Sequence, residues 1–482
     1  MKDIGAHAGD LKAFVEQRWE ESILPELEAY IAIPNLSPHF DPDWAEHGHM
    51  EKATEHIHRW CAEQAIEGMS LEVVRLDGRT PVIFMEIEAS GGGSNEKTVL
   101  LYGHLDKQPE MSGWDADKGP WKPVRQDGKL YGRGGADDGY AAYASLTAIA
   151  ALQRQGLPHD RCVVLIEACE ESGSFDLPPY LEHLKARIGT PYLVVCLDSG
   201  CGDYERLWGT TSLRGLVGGT LKVENLKPTA DGSAAGVHSG DSGGIVPSAG
   251  RLVRLLLARL EDTTTGEIQL DALKVAIPDD RREQAEQAAQ ILGDGVWQKY
   301  PFADGAEPMA AGAEAILNRT WRPILEVVGT DAPDLRAGNV LRGRAQAKLS
   351  IRIPPHVNPE EATAAIKSAL ESDPPKGAAV TFEPEQGAAG WEAPTMVPWL
   401  EQSLTAASEA FFGHPAAFQG EGGTIPFMGM LGEMFPEAQF VITGLLGPGS
   451  NAHGPNEFLH IDCAKKLTAS MAAVLVHAAT RD

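Results

Sequence analysis

Three short apolar runs constrain this chain more than any other feature. Thr98–Tyr102, Cys162–Ala168 and Tyr192–Leu197 do not alternate apolar with polar. Each gives way to acidic or imidazole side chains: His104 and Asp106 after the first, Glu170 and Glu171 after the second, Asp198 after the third. Unalternating apolar runs of strand length read as strands buried on both faces. An alanine-rich helical stretch, Tyr140–Gln155, separates the first two, as the crossover between parallel strands requires. The expected fold is α/β, a mostly parallel sheet with helices on both faces. In open sheets of this kind ligands bind beyond the carboxyl ends of the strands, where these polar residues fall.

A length of 482 residues exceeds what one hydrophobic core organises. Upstream, Asp10 is placed to cap a helix over Leu11–Ile33, and a second helix is expected over Trp44–Glu67. Leu71–Leu76 and Val82–Ile87 read as strands, and Ser90–Glu96 as a surface loop. From about Leu213 the texture changes. Leu216–Val223 and Gln346–Ile353 alternate like half-exposed strands, with helices expected over Ser248–Glu261, Arg281–Leu292 and Pro359–Ser372. A separate α+β domain is therefore expected over 213–391, inserted into a first domain made of 1–212 and 392–482. The last part should complete the first sheet, with a strand over Phe440–Leu446 and helices over Val397–Phe412 and Ile461–Ala479.

His104, Asp106, Asp137, Asp138, Glu170, Glu171, Asp198 and His453 fall at strand ends or in glycine-rich loops. Crowded carboxylates raise one another's pKa unless cations offset them. Imidazole with carboxylate, and no thiolate, suits zinc, manganese or cobalt in a catalytic site. Each member has a blander reading alone. A His-x-Asp after a strand is common, an Asp-Asp pair in a glycine loop is ordinarily a turn, and a Glu-Glu pair ordinarily faces water. Their joint placement at parallel strand ends puts a metal site level with the bland readings. The pairs His47/His49 and His56/His58 compete poorly, since helical residues two apart point to different faces. Cys61, Cys162, Cys169, Cys196, Cys201 and Cys463 include no CxxC pair and read as structural thiols.

A net charge of -27 argues against nucleic acid as a partner. Met1–Val15 lacks the basic segment and apolar run of a secretory leader. No apolar stretch approaches the roughly 20 residues of a membrane helix. A cytoplasmic protein with no membrane partner is expected.

The segments LLYGHLDKQP (100–109), LYGRGGADDG (130–139), IEACEESGS (166–174), VCLDSG (195–200), VHSG (237–240), LSIRIPP (349–355), GEGGTIP (420–426) and NAHGPNE (451–457) follow one another across nearly the whole chain. In order and spacing they resemble the co-catalytic di-metal metallopeptidase family of carnosinase-type dipeptidases, aminoacylases, acetylornithine deacetylase and succinyl-diaminopimelate desuccinylase. The length and the EESGS form resemble the dipeptidase branch most. The resemblance implies an inserted domain that serves as lid and dimerisation module, and two divalent ions per chain, zinc first, with manganese or cobalt as alternatives. His104 and Asp198 would bind one ion, Glu171 and His453 the other, and Asp137 both. Asp106 would orient His104, and a cis peptide would join Asp137 to Asp138. Glu170 would be the general base for a hydroxide bridging the metals. His238, from the partner subunit of a homodimer, would donate to the oxyanion. Arg352 would clamp the substrate's carboxylate, with Asn339, Gly422, Gly423 and Thr424 lining the same pocket. The implied reaction is hydrolysis of dipeptides or similar small substrates with a free carboxylate, the alternative being deacylation or desuccinylation of an N-acyl amino acid.

The chain departs from the dipeptidase branch at Gly236–Val237, where Asp-Leu is usual before the histidine, at Asp241–Ser242, and at Gln386, where a histidine is frequent. These departures bear on the substrate and leave the metal set untouched. One rival enzyme is suggested by GDSGG at Gly240–Gly244, which fits a serine-hydrolase nucleophile at Ser242. Against it, chymotrypsin-like domains are all-β, and the nucleophile elbow of an α/β-hydrolase needs an apolar strand where Asp231–Ser239 is small and polar. A non-catalytic peptide-binding protein of the same fold is the other rival. Such a chain would be expected to lose a ligand or the base, and every one is present.

Overall fold

The apolar runs lie side by side. Arg161–Glu167, Thr98–His104 and Pro191–Cys196 pair in parallel, in that order, and Gln439–Ile442 pairs in parallel with Pro191–Cys196. Val82–Ile87 and Met69–Val74 extend the other edge antiparallel. The sheet thus has six strands, and the four that carry the candidate site are parallel. This is a computed structural model describing residues 4–332 and 336–481. The first three residues of the segment read for a leader lie outside the described residues.

Every residue of Thr98–His104 is buried. Alternate side chains of a strand point to opposite faces, so each strand feeds two cores. Val99, Leu101, Val164, Ile166 and Val195 pack on one side with the helices Ala8–Arg18, Ala141–Arg154, Pro398–Phe411 and Ile461–Thr480. Leu100, Tyr102, Val163, Leu165, Val194 and Cys196 pack on the other with Leu177–Ile188 and Pro426–Met434. Burial on both faces explains why the runs show no alternation.

Several boundaries differ from expectation. The first helix runs from Ala8 to Ile31 with a π-helical stretch at Trp19–Ile23, and Asp10 sits inside its first turn instead of capping it. The second is broken by Gly48, whose φ of 72° no helix accommodates, into Trp44–His47 and His49–Ala62. The strand expected over Leu71–Leu76 spans Met69–Val74. The strand expected to reach Leu446 stops at Ile442, and the chain beyond it forms the loop that carries His453.

A second sheet is wholly antiparallel, in the order Ile324–Thr330, Arg344–Ile353, Gly215–Glu224, Ala379–Pro384. With the helices Ala249–Leu257 and Pro359–Glu371 it encloses its own apolar core around Leu221, Leu252, Leu349, Ile366 and Phe382. This is the inserted α+β unit. Its edge strand leaves Val327 and Val328 44% and 59% exposed. A short ribbon pairs Gly236–His238 with Val340–Arg342. Among the described residues, no helix is long and apolar enough to cross a membrane.

Candidate metal centre

The parallel strands end together, and their ends set the centre. His104 is the last residue of its strand. Glu170 and Glu171 form the short helical turn after Glu167, and Asp198 lies two residues past Cys196. Asp137 comes from the turn Gly135–Gly139 just before the helix Ala141–Arg154, and the Asp137–Asp138 peptide is cis. His453 reaches in from the loop after Ile442.

Among the described residues, two groups have ligand atoms that all lie within 4.8 Å of one another: His104, Asp137 and Asp198, and Asp137, Glu171 and His453. Asp137 belongs to both. Its Oδ1 lies 3.4 Å from His104 Nε2 and its Oδ2 3.1 Å from His453 Nε2. Asp198 Oδ2 lies 3.7 Å from His104 Nε2, and Glu171 Oε2 lies 3.5 Å from His453 Nε2.

These residues fit a cation. His104 Nε2 is buried and has no hydrogen-bond partner among the described residues, although two carboxylates face it. The carboxylates also oppose one another. Burial, with Asp198 and Glu171 nearby, holds Glu170 well above the usual range. Burial and Asp137 do the same to Glu171, and burial lifts Asp198 to about 6. A divalent ion reverses that arithmetic. All the donors are imidazole or carboxylate, a set suited to a borderline or hard divalent ion.

Asp106 is fully buried and ties the strand ends together. It faces His104 Nδ1 at 3.4 Å and accepts the backbone N–H groups of Glu170 and Glu171 at 3.1 and 3.0 Å. Glu170 falls in neither ligand group. It lines the same cavity of about 710 Å³, as do Arg352, Gly423 and Thr424. Arg352 Nη1 donates to Thr424 Oγ1 at 2.9 Å, and that hydroxyl donates to Arg214 O at 2.6 Å.

Three expected site residues lie elsewhere. His238, on the short ribbon, and Asn339, just before its second strand, are exposed and do not line this cavity. Gly422 is also outside its lining, its carbonyl taken by Arg214 Nε at 3.3 Å. Ser242 Oγ donates to the carbonyl of His238 at 2.9 Å, on the short helix Ser239–Ser242 that follows the ribbon strand Gly236–His238. His47 pairs with Asp41 and His56 with Glu26, outside both ligand groups.

Sequence reasoning missed several neighbours. Gln108 Nε2 donates to Glu171 Oε2 at 2.6 Å; it stands in the 100–109 motif and was readable there. Arg319, paired with Glu421 at 3.0 Å, lines the cavity together with Lys299. Beside it, burial and the neighbouring Arg352 and Arg319 pull Arg214 down to about 9. This end of the cavity is therefore basic, where the strand ends are acidic. No motif marked these cations, which are gathered only by the fold.

The chain is 27% identical over 466 residues to the cysteinylglycine-S-conjugate dipeptidase of Corynebacterium striatum, covering 92% of this chain and 94% of that one. Its fold is similar to that of the dipeptidase Dug1p of Saccharomyces cerevisiae, with a TM-score of 0.76 at 19% identity over 98% of both chains. It is similar too to that of human carnosine dipeptidase 1, with a TM-score of 0.72 at 22% identity over 98% of both. Residues 100–477 match the profile of peptidase family M20/M25/M40, and the chain belongs to that family.

Proposed function

We propose that the chain is a metal-dependent dipeptidase, hydrolysing the peptide bond of dipeptides or similar small substrates with a free carboxylate. The observation that carries this is one cavity with two ends. Two ligand groups sharing Asp137 lie at the acidic end, and the Arg352–Thr424 pair stands near Arg214 and Arg319 at the basic one. The cysteinylglycine-conjugate relative, which is matched over most of both chains, supports the substrate class.

His104, Asp198 and Asp137 would hold one cation, and Asp137, Glu171 and His453 the other, zinc before manganese or cobalt. A bound divalent pair supplies Lewis acidity to the scissile carbonyl and to water. The chain's own residues do the rest. Arg352 takes the substrate carboxylate, a task suited to its planar fork, and so sets the peptide bond against Glu170. Glu170 takes a proton from the attacking water and returns it to the leaving nitrogen. Asp106 keeps His104 oriented and holds the Glu170 backbone in place.

His238 does not line this cavity in its own chain. Its Nδ1 accepts the N–H groups of Gly240 and Asp241, both at 3.2 Å. The resemblance to the dipeptidase branch implies that this exposed histidine serves an oxyanion in a second copy, and we read the protein as a homodimer on that ground. The division into 1–212 with 392–482 and an inserted 213–391 is supported by the separate core of the antiparallel sheet. Six buried free thiols accord with the cytoplasm.

A panel of dipeptides, their C-terminal amides and N-acyl amino acids, assayed with and without chelator and with zinc or manganese restored, tests the reading. Chelator-sensitive turnover of free-acid dipeptides is expected. Turnover confined to N-acyl amino acids would move the assignment to deacylation, and chelator-resistant turnover would end it.

A further inference from the structure

One buried ion pair is tied to the loops of three candidate ligands. Arg133 and Glu457 are 1% and 0% exposed and in direct contact. Arg133 Nε donates at 3.2 Å to the carbonyl of Pro109, in the segment that follows His104 and Asp106. Its Nη2 donates at 3.1 Å to the carbonyl of Gly454, next to His453. Glu457 Oε1 accepts the N–H of Gly134 at 2.7 Å, in the turn that leads to Asp137. Glu457 Oε2 accepts the N–H of His453 itself at 3.3 Å. The Gly132 N–H adds a bond of 2.9 Å to the Glu457 carbonyl.

The His453 loop needs such constraints. His453 has a φ of 63°, with Asn451 at 54° and Asn456 at 59°. Asn and His tolerate this left-handed region better than most side chains, yet three such residues in six positions carry a conformational cost that the surrounding structure has to meet. Stability alone does not explain a charged pair at this spot. The desolvation of two buried charges roughly offsets their attraction, and an apolar pair of like volume often serves a fold as well. What an apolar pair lacks is direction, and every hydrogen bond of Arg133 and Glu457 named above is directional, ending on the backbone of a loop that bears or adjoins a ligand.

We infer that Arg133 and Glu457 are positioning residues that preset His453 against Asp137, and so raise the affinity of the site formed by Asp137, Glu171 and His453. The inference rests on the metal reading given above. Neither side chain belongs to a ligand group, and they act through the backbone. Glu457 bonds the backbone of His453 itself, whereas His104 is faced by Asp106 and neither His104 nor Asp198 is bonded by the pair, so the two affinities should respond unequally.

The test is a zinc titration against a competing chromophoric chelator, resolving two stepwise affinities in the full-length protein. Glu457→Gln keeps the shape and removes the charge. Because it leaves Arg133 without its counterion, it is paired with the double variant Arg133→Met/Glu457→Met, which leaves no buried charge unmatched. Both should retain the native circular dichroism. One affinity should fall by about 10–100-fold, as for other groups that orient metal ligands, while the second stays within about twofold. In a His453→Ala background the double variant should cause no further loss, an outcome that general loosening of the fold would not give. Two unchanged affinities, two equal losses, or a double variant that cannot fold would each overturn the inference. Wild-type protein that takes up fewer than two ions would instead overturn the metal reading itself.

Discussion

Asp106 Oδ2 accepts the backbone N–H of Glu171 at 3.0 Å, from a strand end 65 residues earlier in the chain. Its other oxygen takes the N–H of Glu170, and the carboxylate also faces His104. One buried side chain thus fixes a candidate ligand on each of two neighbouring strands. Asp106→Ala should lower metal affinity by about 10–100-fold. It should also destabilise the protein by about 1–3 kcal/mol, since two amides lose their acceptor. Chelator competition and thermal melting of the metal-free protein measure the two effects. Wild-type affinity in a folded variant would remove Asp106 from the centre.

Glu170 lies in the cavity but in neither ligand group. Glu170→Ala should therefore keep two zinc ions per chain by elemental analysis, while turnover falls by about 10²–10⁴-fold. Loss of an ion would make Glu170 a ligand, and near-normal turnover would make it a bystander.

Arg352 is oriented by the Thr424 hydroxyl. If it grips a carboxylate, free-acid dipeptides should outrun their C-terminal amides, and Arg352→Ala should erase the difference by raising KM for the acids. Thr424→Val should weaken the preference without abolishing it. The ratio of kcat/KM for a matched acid and amide is the readout, and a ratio near one in the unmutated enzyme sinks the idea.

These expectations show where the sequence was readable. The run Thr98–Tyr102 was legible because a strand buried on both faces is mostly apolar, and the polar His104 and Asp106 mark where it ends. Gly48 was not, because the amphipathic pattern continues across it and only backbone geometry breaks the helix. The link between Arg133 and Glu457 was invisible for another reason: the two residues lie 324 positions apart, and nothing local in either segment calls for the other. His238 was named from its motif, yet nothing in that motif says that it is left out of the lining of its own chain's cavity.

His238 yields the sharpest experiment. His238→Ala should lower turnover by about 10²–10³-fold, the usual loss on removing an oxyanion donor, with metal content unchanged. Mixing inactive Glu170→Ala protein with inactive His238→Ala protein, under conditions where subunits exchange, should restore activity. Each mixed dimer holds one site with its own Glu170 and the other copy's His238. Demonstrated exchange without recovery would confine His238 to its own chain or to no role.

The sheet that carries the centre is closed by a strand from the far end of the chain. Gln439–Ile442 pairs with Pro191–Cys196, and Trp19 Nε1 bonds Thr468 Oγ1 at 3.0 Å across the same layer. On the ribosome, at about 5–20 residues per second, Ile442 follows Cys196 by roughly 10–50 s. For that interval the Pro191–Cys196 edge stands open, with apolar Leu193, Val194 and Val195 on it, and the loop of His453 does not yet exist. The nascent chain therefore has an aggregation-prone edge to shield and lacks the His453 of the candidate centre. A chain cut short before that loop would be a burden for chaperones.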